Sequence, residues 1–176
     1  MNLEKCLPGL FFQTYYVSKE KSNCPLIIDA LRFFKKFEKI SNSSISLRYG
    51  KRVLINTKKD GFLEVVDYDP FKKILLVMGP EEALTESPLH WFIHHAREDV
   101  NAVLLIKNIE YIDKLGEKIP ASEKNYPLWT IEKIKDILGL LRNSKIVIIK
   151  DIGVLFVGKS INEVEKQVLK IFGDLK

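Results

Sequence analysis

A run of short strand-like segments separated by turn residues, between residues 44 and 78, restricts the fold more than any other feature of the sequence. The segments alternate polar and apolar residues or are mostly apolar, and Gly50, Gly61 and Pro70 lie in the turns between them. A period of two is typical of β-strands. Strands joined by such short turns pair antiparallel, because parallel neighbours need a longer crossover. We predict antiparallel strands at 44–49, 52–57, 62–68 and 73–78.

Amphipathic helices and short apolar strands are predicted in the rest of the chain. Each predicted helix begins at a capping residue or an early proline, and the helix starts are Pro25, Ser87, Thr130 and Ser160. Fully apolar runs predict buried strands at 100–106, 145–150 and 154–157, whereas 111–127 has no regular pattern. The chain has no repeat or linker, so the order of elements predicts one domain over residues 1–176, with a sheet between helices.

Composition and charge predict which classes of partner the chain lacks and where in the cell it is located. The net charge is +5, but the lysines are interleaved with acids and form no arginine-rich arm, so we expect no nucleic-acid partner. No apolar run approaches the roughly 18 residues that span a bilayer, so we expect no membrane partner. The first residues lack the basic and apolar regions of a secretory signal, which predicts a cytoplasmic protein.

Three segments, which occur in the expected order along the chain, resemble segments of a known family. The first is Ser43-Ser-Ile-Ser-Leu-Arg-Tyr-Gly50, followed by Val53-Leu-Ile-Asn56. The second is Glu86-Ser-Pro-Leu-His90, followed by Ala96-Arg-Glu-Asp-Val-Asn-Ala-Val103. The third is Gly153-Val-Leu-Phe-Val-Gly-Lys-Ser160. Together they resemble the class II aldolase/adducin head family, which includes fuculose-phosphate aldolase. The resemblance covers about residues 25–172 and implies a three-layer α/β/α fold with a largely antiparallel central sheet.

The resemblance implies a metal site whose ligands this chain lacks. Active members bind a divalent metal, usually zinc, through three histidines, and the aligned positions here are Leu105, Lys107 and Ile152. Leucine and isoleucine have no donor atoms and lysine is a cation, so we expect no zinc and no other cofactor. A relocated metal site on His90 and His94, spaced four apart on a helix, is the alternative to ordinary packing of these two side chains.

Five positions, one of them Lys107, are candidate catalytic or ligand-binding residues. Glu86 matches the family's proton-transfer carboxylate. Lys107 is expected to extend from the strand end into solvent, to pair with Glu86 or, in a dry pocket, to form an imine with a carbonyl substrate. Ser44, Thr57 and Thr85 align with the family's phosphate-binding region and are candidate ligands for an anion.

Two functions follow from these residues. The first is a metal-free, non-catalytic binding or scaffolding relative of the family, with a small anionic or phosphorylated ligand as a candidate partner. The second is a divergent sugar-phosphate aldolase or lyase that uses Glu86 with Lys107 or with a relocated metal. Under both, the resemblance implies a homo-oligomer, with the tetramer as the family's common form.

Overall fold

The computed structural model describes residues 12–37, 40, 42–115 and 118–173, which form a mixed α/β fold. Within these ranges nine strands lie in one sheet: β1 (Gln13–Ser18), β2 (Ser43–Tyr49), β3 (Arg52–Asn56), β4 (Phe62–Asp69), β5 (Ile74–Met78), β6 (Ala102–Ile106), β7 (Ala121–Ser122), β8 (Ile146–Ile149) and β9 (Gly153–Gly158). The helices are α1 (Ile27–Lys36), α2 (Ser87–Ala96), α3 (Ile131–Leu141) and α4 (Ile161–Phe172). A 3₁₀ helix covers Ile109–Lys114.

The strand order in the sheet is β1-β5-β4-β3-β2-β6-β9-β8-β7. The six pairs from β5 through β8 are antiparallel, and short turns join four of them, β2–β3, β3–β4, β4–β5 and β8–β9, as predicted. The two outermost pairs, β1 with β5 and β7 with β8, are parallel. The expected largely antiparallel sheet is therefore mixed, because both edge strands reach their neighbours through long connections rather than hairpins.

Helices cover both faces of the central strands, as the side chains on the two faces of β6 show. Ala102, Leu104 and Ile106 pack in one apolar cluster with residues of α1 and α4. Val103 and Leu105 pack on the opposite face with residues of α2 and α3. Successive side chains of a strand point to opposite faces, so a strand that is buried on both sides reads as a continuous apolar run. This arrangement agrees with a sheet between two helical layers.

The predicted helix starts are confirmed for α3 and α4, whereas α1 begins at Ile27 rather than Pro25 and the start of α2 also shifts. Thr130 and Ser160 cap α3 and α4, since their hydroxyls accept from Lys133 N and Glu163 N respectively. Ser87, predicted as a cap, instead lies in the first turn of α2, and Glu86 is the residue that precedes the helix. This shift matters for the site, because it places Glu86 at the point where the chain enters α2.

Gly153, at the start of β9, allows the closest backbone approach in this part of the fold. A Cβ built there would lie 1.8 Å from the carbonyl oxygen of Ile106, and the residue has φ +157°. Only glycine adopts that conformation without strain and leaves room for the carbonyl. The approach holds the end of β6 against the turn that contains Ile152.

None of the helices within the described ranges is long and apolar enough to cross a membrane.

Candidate functional site

The site is built around Glu86, whose side chain is buried at the start of α2 with 2% of its surface exposed. Its Oε1 lies 2.6 Å from Nζ of Lys107, the residue that follows β6. Its Oε2 accepts a hydrogen bond of 3.1 Å from the hydroxyl of Thr85. The structure thus contains the ion pair that the sequence offered as one alternative for Lys107. Oε1 contacts the ammonium group without a hydrogen bond of good geometry, and Oε2 is hydrogen-bonded.

Burial and the charge of Lys107 shift the pKa of Glu86 in opposite directions. Burial raises the pKa of this carboxyl, but the charge and hydrogen bond of Lys107 outweigh it, and the net pKa falls below its ordinary value of 4.5. Glu86 is consequently a carboxylate at neutral pH. Since 24% of the Lys107 side chain is exposed, this ammonium group is the side of the ion pair that solvent can reach.

The three family metal positions lie on the same side of the sheet as Glu86. Leu105 is fully buried in the cluster between the sheet and helices α2 and α3, and Ile152 packs against that cluster. Lys107 follows two residues after Leu105 and pairs with Glu86, in keeping with a period of two. The three positions that align with the family's metal ligands therefore lie on one side of the sheet, although their side chains are not those of the family.

These residues do not fit a zinc ion. Zinc sites in proteins use thiolate, imidazole or carboxylate donors, usually four in a tetrahedron. Two of the three positions offer only carbon atoms, and a protonated lysine has no lone pair to donate. Within the described residues, no group of three or more His, Cys, Asp or Glu side chains is placed to hold a metal ion.

His90 and His94 belong to a buried chain of hydrogen bonds. Ser44 Oγ lies 2.9 Å from Nε2 of His90, and Nδ1 of His90 lies 2.7 Å from Ser46 Oγ. The same Ser46 Oγ lies 2.9 Å from Nε2 of His94, whose Nδ1 lies 3.2 Å from the carbonyl oxygen of Val100. All four ring nitrogens thus have protein partners, an arrangement that favours ordinary packing over the relocated metal site.

The carbonyl at one end of this chain fixes the direction of every hydrogen bond in it. Val100 O can only accept, so the neutral His94 carries its proton on Nδ1 and accepts at Nε2 from the Ser46 hydroxyl. Ser46 then accepts from Nδ1–H of His90, and His90 accepts at Nε2 from Ser44. Every group is satisfied with both rings neutral. Burial accordingly lowers the pKa of His90 to about 4 and that of His94 to about 3.

The three predicted anion-binding hydroxyls all donate to acceptors inside the protein. Ser44 donates to His90, and Thr85 donates to Glu86. Thr57 is buried and donates to the carboxylate of Glu81, while its oxygen accepts from the backbone of Gly61. A hydroxyl has one hydrogen to donate, so a phosphate at any of these positions would have to displace an internal acceptor.

Sequence reasoning did not identify three residues that organise the site. Ser46 joins the two histidines, and its position two residues after Ser44 was the available signal, because both side chains then share one face. Arg48 donates to the carbonyls of His94, Arg97 and Val100 and so holds the C-terminal end of α2. The contact of Glu81 with Thr57 has no local sequence signal.

Comparison with solved structures identifies the fold. An L-fuculose 1-phosphate aldolase superimposes with a TM-score of 0.61, at 13% sequence identity over 86% of both chains. YgbL from Escherichia coli gives a TM-score of 0.59 at 11% identity, over 84% of this chain and 83% of that one. An aldolase II superfamily protein from Pseudomonas syringae gives 0.55 at 17% identity, over 81% of this chain and 66% of that one.

The comparisons establish a class II aldolase-like fold, as the sequence resemblance predicts. No family model matches the sequence, and no curated protein is significantly similar to it. At sequence identities this low, shared architecture carries no statement about activity, because one fold hosts many functions.

Proposed function

We propose that this chain, with its class II aldolase-like fold, is a metal-free, non-catalytic binding or scaffolding protein. The observation that carries the proposal is the 2.6 Å ion pair between Lys107 and Glu86. In it, the ammonium group of Lys107 occupies a position where the resemblance implies a metal ligand. One fixed positive charge then balances the buried carboxylate without an ion from solution.

The environment of Glu86 is unsuited to proton abstraction. A general base needs a free oxygen within hydrogen-bond reach of the substrate and a pKa near the working pH. Oε1 of Glu86 is buried against the ammonium group of Lys107, Oε2 accepts from Thr85, and the pKa of the carboxyl lies below its ordinary value. The electrostatic stabilisation of a developing oxyanion, usually the largest part of such catalysis, has no metal donor set to supply it.

Binding through the former phosphate region is also disfavoured. The hydroxyls of Ser44, Thr57 and Thr85 are committed to internal acceptors, two of which are the carboxylates of Glu81 and Glu86. Carboxylates beside these hydroxyls repel an anion, because like charges in a partly buried site interact strongly. We therefore infer that the chain acts through its surface, on a macromolecular partner or another copy, rather than on a sugar phosphate.

Metal content and cleavage activity test this proposal together. The untagged protein, incubated with excess zinc and desalted, is analysed by mass spectrometry for bound metal and assayed for retro-aldol cleavage of fuculose 1-phosphate. We expect no stoichiometric metal and no turnover. The matched control replaces Leu105, Lys107 and Ile152 with histidine, which restores the donor set and should retain zinc. Stoichiometric zinc in the unmodified chain, or turnover abolished by Glu86→Gln, would refute the proposal.

A second candidate, an imine-forming lyase, is supported by the partial exposure of Lys107. Its amine, once it has lost a proton to solvent, could add to a carbonyl substrate and release water to form an imine. Borohydride would reduce that imine to a secondary amine and fix the substrate mass on the chain. Trapping of dihydroxyacetone phosphate by the unmodified protein, but not by Lys107→Met, would favour this candidate over the first.

The cytoplasmic location and the lack of nucleic-acid and membrane partners stay predictions from the sequence.

A further inference from the structure

A cavity lies beside the loop of residues 19–24, which connects β1 to α1. It encloses about 250 Å³, and its lining includes Glu20, Lys21, Tyr49, Arg52, Glu64 and Met78. A cavity of about 150 Å³ is large enough to bind benzene, so this one can admit a small organic ligand.

The sheet separates this cavity from the site around Glu86. Val65 packs in an apolar cluster with Phe92 of α2, so it points to the face that α2 covers. Successive side chains of a strand point to opposite faces. Glu64 therefore points to the other face, beside Met78, its partner on β5. The cavity is thus independent of the function proposed above, and either proposal can fail without the other.

Glu64 is a buried charge in the wall of the cavity, with 4% of its surface exposed. Its Oε1 accepts a hydrogen bond of 2.5 Å from the hydroxyl of Ser22, and its Oε2 accepts one of 2.9 Å from Nη1 of Arg52. A carboxylate has about four acceptor sites, so each oxygen can accept from one more donor. A ligand that brings a donor here would therefore add to these bonds rather than replace them.

Two cations also line the cavity. The side chain of Arg52 is 44% exposed and donates to Glu64 through Nη1, and its planar fork carries further N–H groups. Lys21 and Glu20 are exposed, and neither forms an ion pair within the part of the chain that the structure describes. The cavity thus carries two charges of each sign, and both signs have unused hydrogen-bonding capacity.

The rest of the lining includes two sulfur atoms and an aromatic ring. Cys24 is buried, and burial raises the pKa of its thiol, which therefore stays neutral. Met78 is partly buried on β5, and Tyr49 is exposed at the end of β2. Thioether and aromatic groups pack well against apolar groups of varied shape. This part of the cavity favours the apolar portion of a ligand.

The loop beside the cavity is fixed before any ligand arrives. Ser22 Oγ accepts from the backbone nitrogen of Cys24 at 3.1 Å and donates to Glu64. Ser18 Oγ accepts from the backbone nitrogen of Glu20 at 3.2 Å. A preformed site loses little conformational entropy on binding.

We propose that this cavity binds a small zwitterion, namely a free α-amino acid with an apolar side chain. Its ammonium group donates to Glu64, and its carboxylate accepts from Arg52 and Lys21. Its side chain contacts Met78 and Tyr49. A purely anionic ligand would face the buried carboxylate, and a purely cationic one would face the two cations. A ligand with both charges matches both, and it leaves the ion pair between Arg52 and Glu64 intact.

Calorimetric titration with amino acids and with their singly charged analogues tests the choice of ligand. The probes are L-leucine, L-methionine and L-phenylalanine, together with isoamylamine and isocaproate, which keep the side chain of leucine but carry only one of its charges. We expect at least one of the amino acids to bind once per chain, with a dissociation constant between about 10 µM and 1 mM. Each singly charged analogue should bind about tenfold more weakly or less than leucine.

Variants of the lining test the assigned contacts. Glu64→Gln keeps the shape of the side chain and an acceptor for Ser22 but removes the charge, and Lys21→Glu reverses an exposed charge. Each should weaken binding of the amino acid by about tenfold or more. Glu82→Gln is the matched control, because Glu82 is exposed outside the cavity, and it should leave the affinity unchanged. Thermal unfolding by circular dichroism checks that the variants are folded.

Three results would overturn the proposal. The first is that none of the three amino acids binds, which would leave the pair of Arg52 and Glu64 a purely structural contact. The second is that isoamylamine or isocaproate binds as tightly as leucine. The third is an affinity that either Glu64→Gln or Lys21→Glu leaves unchanged.

Discussion

The buried histidine chain makes the stability of this protein depend on pH in a way that can be calculated. His90 and His94 have no exposed surface, and burial lowers the pKa of the first to about 4 and of the second to about 3, from 6.5. Both pKa values are lower in the folded state than in the unfolded state. The unfolded chain therefore binds protons first, and stability is lost as the pH falls below 6.5.

The size of the loss follows from these shifts. At pH 5 each histidine is largely protonated in the unfolded chain and neutral in the folded one, which removes about 2 kcal/mol per histidine, or about 4 kcal/mol in total. Domains have about 5–15 kcal/mol of stability, so this loss is a large fraction of the whole. The ion pair of Glu86 adds little in this window, because the ordinary pKa of its carboxyl, 4.5, lies below pH 5.

Urea unfolding followed by circular dichroism at pH 7.5, 6.5, 5.5 and 5 measures the effect. We expect the unfolding free energy to be flat above pH 7 and to fall by about 2.5 kcal/mol per pH unit near pH 5, the slope for two protons. His94→Gln removes one of the two groups and should roughly halve that slope. His95→Gln is the matched control, because His95 is exposed on the same helix and stacks on Trp91. A free energy that stays constant between pH 7 and pH 5 would refute the reasoning.

Three further substitutions test individual contacts by chemical denaturation. Lys107→Met leaves Glu86 buried and unpaired and should destabilise the protein by about 3–5 kcal/mol. Adding Glu86→Gln should recover most of that loss. Equal losses in the single and double variants would contradict the ion pair. Ser46→Ala removes the hydroxyl between the two buried histidines and should destabilise by about 2–4 kcal/mol, whereas Ser46→Thr should lose less. Gly153→Ala places a methyl group against the Ile106 carbonyl and should destabilise by about 4 kcal/mol or more, and a near-wild-type midpoint would show that the approach is not tight.

Local patterns in the sequence were sufficient to predict most of the fold. The strands from 44 to 78 and the apolar run of β6 have clear periods, and their hairpin turns contain glycine or proline. β1 was missed because Gln13–Ser18 has no turn signal that links it to a neighbour. Its partner β5 is far away in sequence, and a parallel pairing over that distance is decided by tertiary packing.

The site was predictable only where one residue implied its partner. The sequence offered an ion pair between Glu86 and Lys107 as one alternative, since a buried carboxylate needs a positive charge nearby, and the structure shows this pair. The hydrogen bonds that Ser44 and Thr57 donate were not predicted, because their acceptors His90 and Glu81 come from distant segments. A sequence motif shows that a hydroxyl is present, but only the folded structure shows which acceptor that hydroxyl donates to.

Zinc titration of the metal-stripped protein by isothermal calorimetry tests the central claim most directly. The claim is that Leu105, Lys107 and Ile152 leave no metal donor set, and that the charge of Lys107 balances Glu86 in place of a metal. The account predicts no saturable binding of zinc, and no change in unfolding temperature when zinc is added. Tight binding of one zinc ion per chain, lost in Glu86→Gln or in His90→Asn, would contradict it.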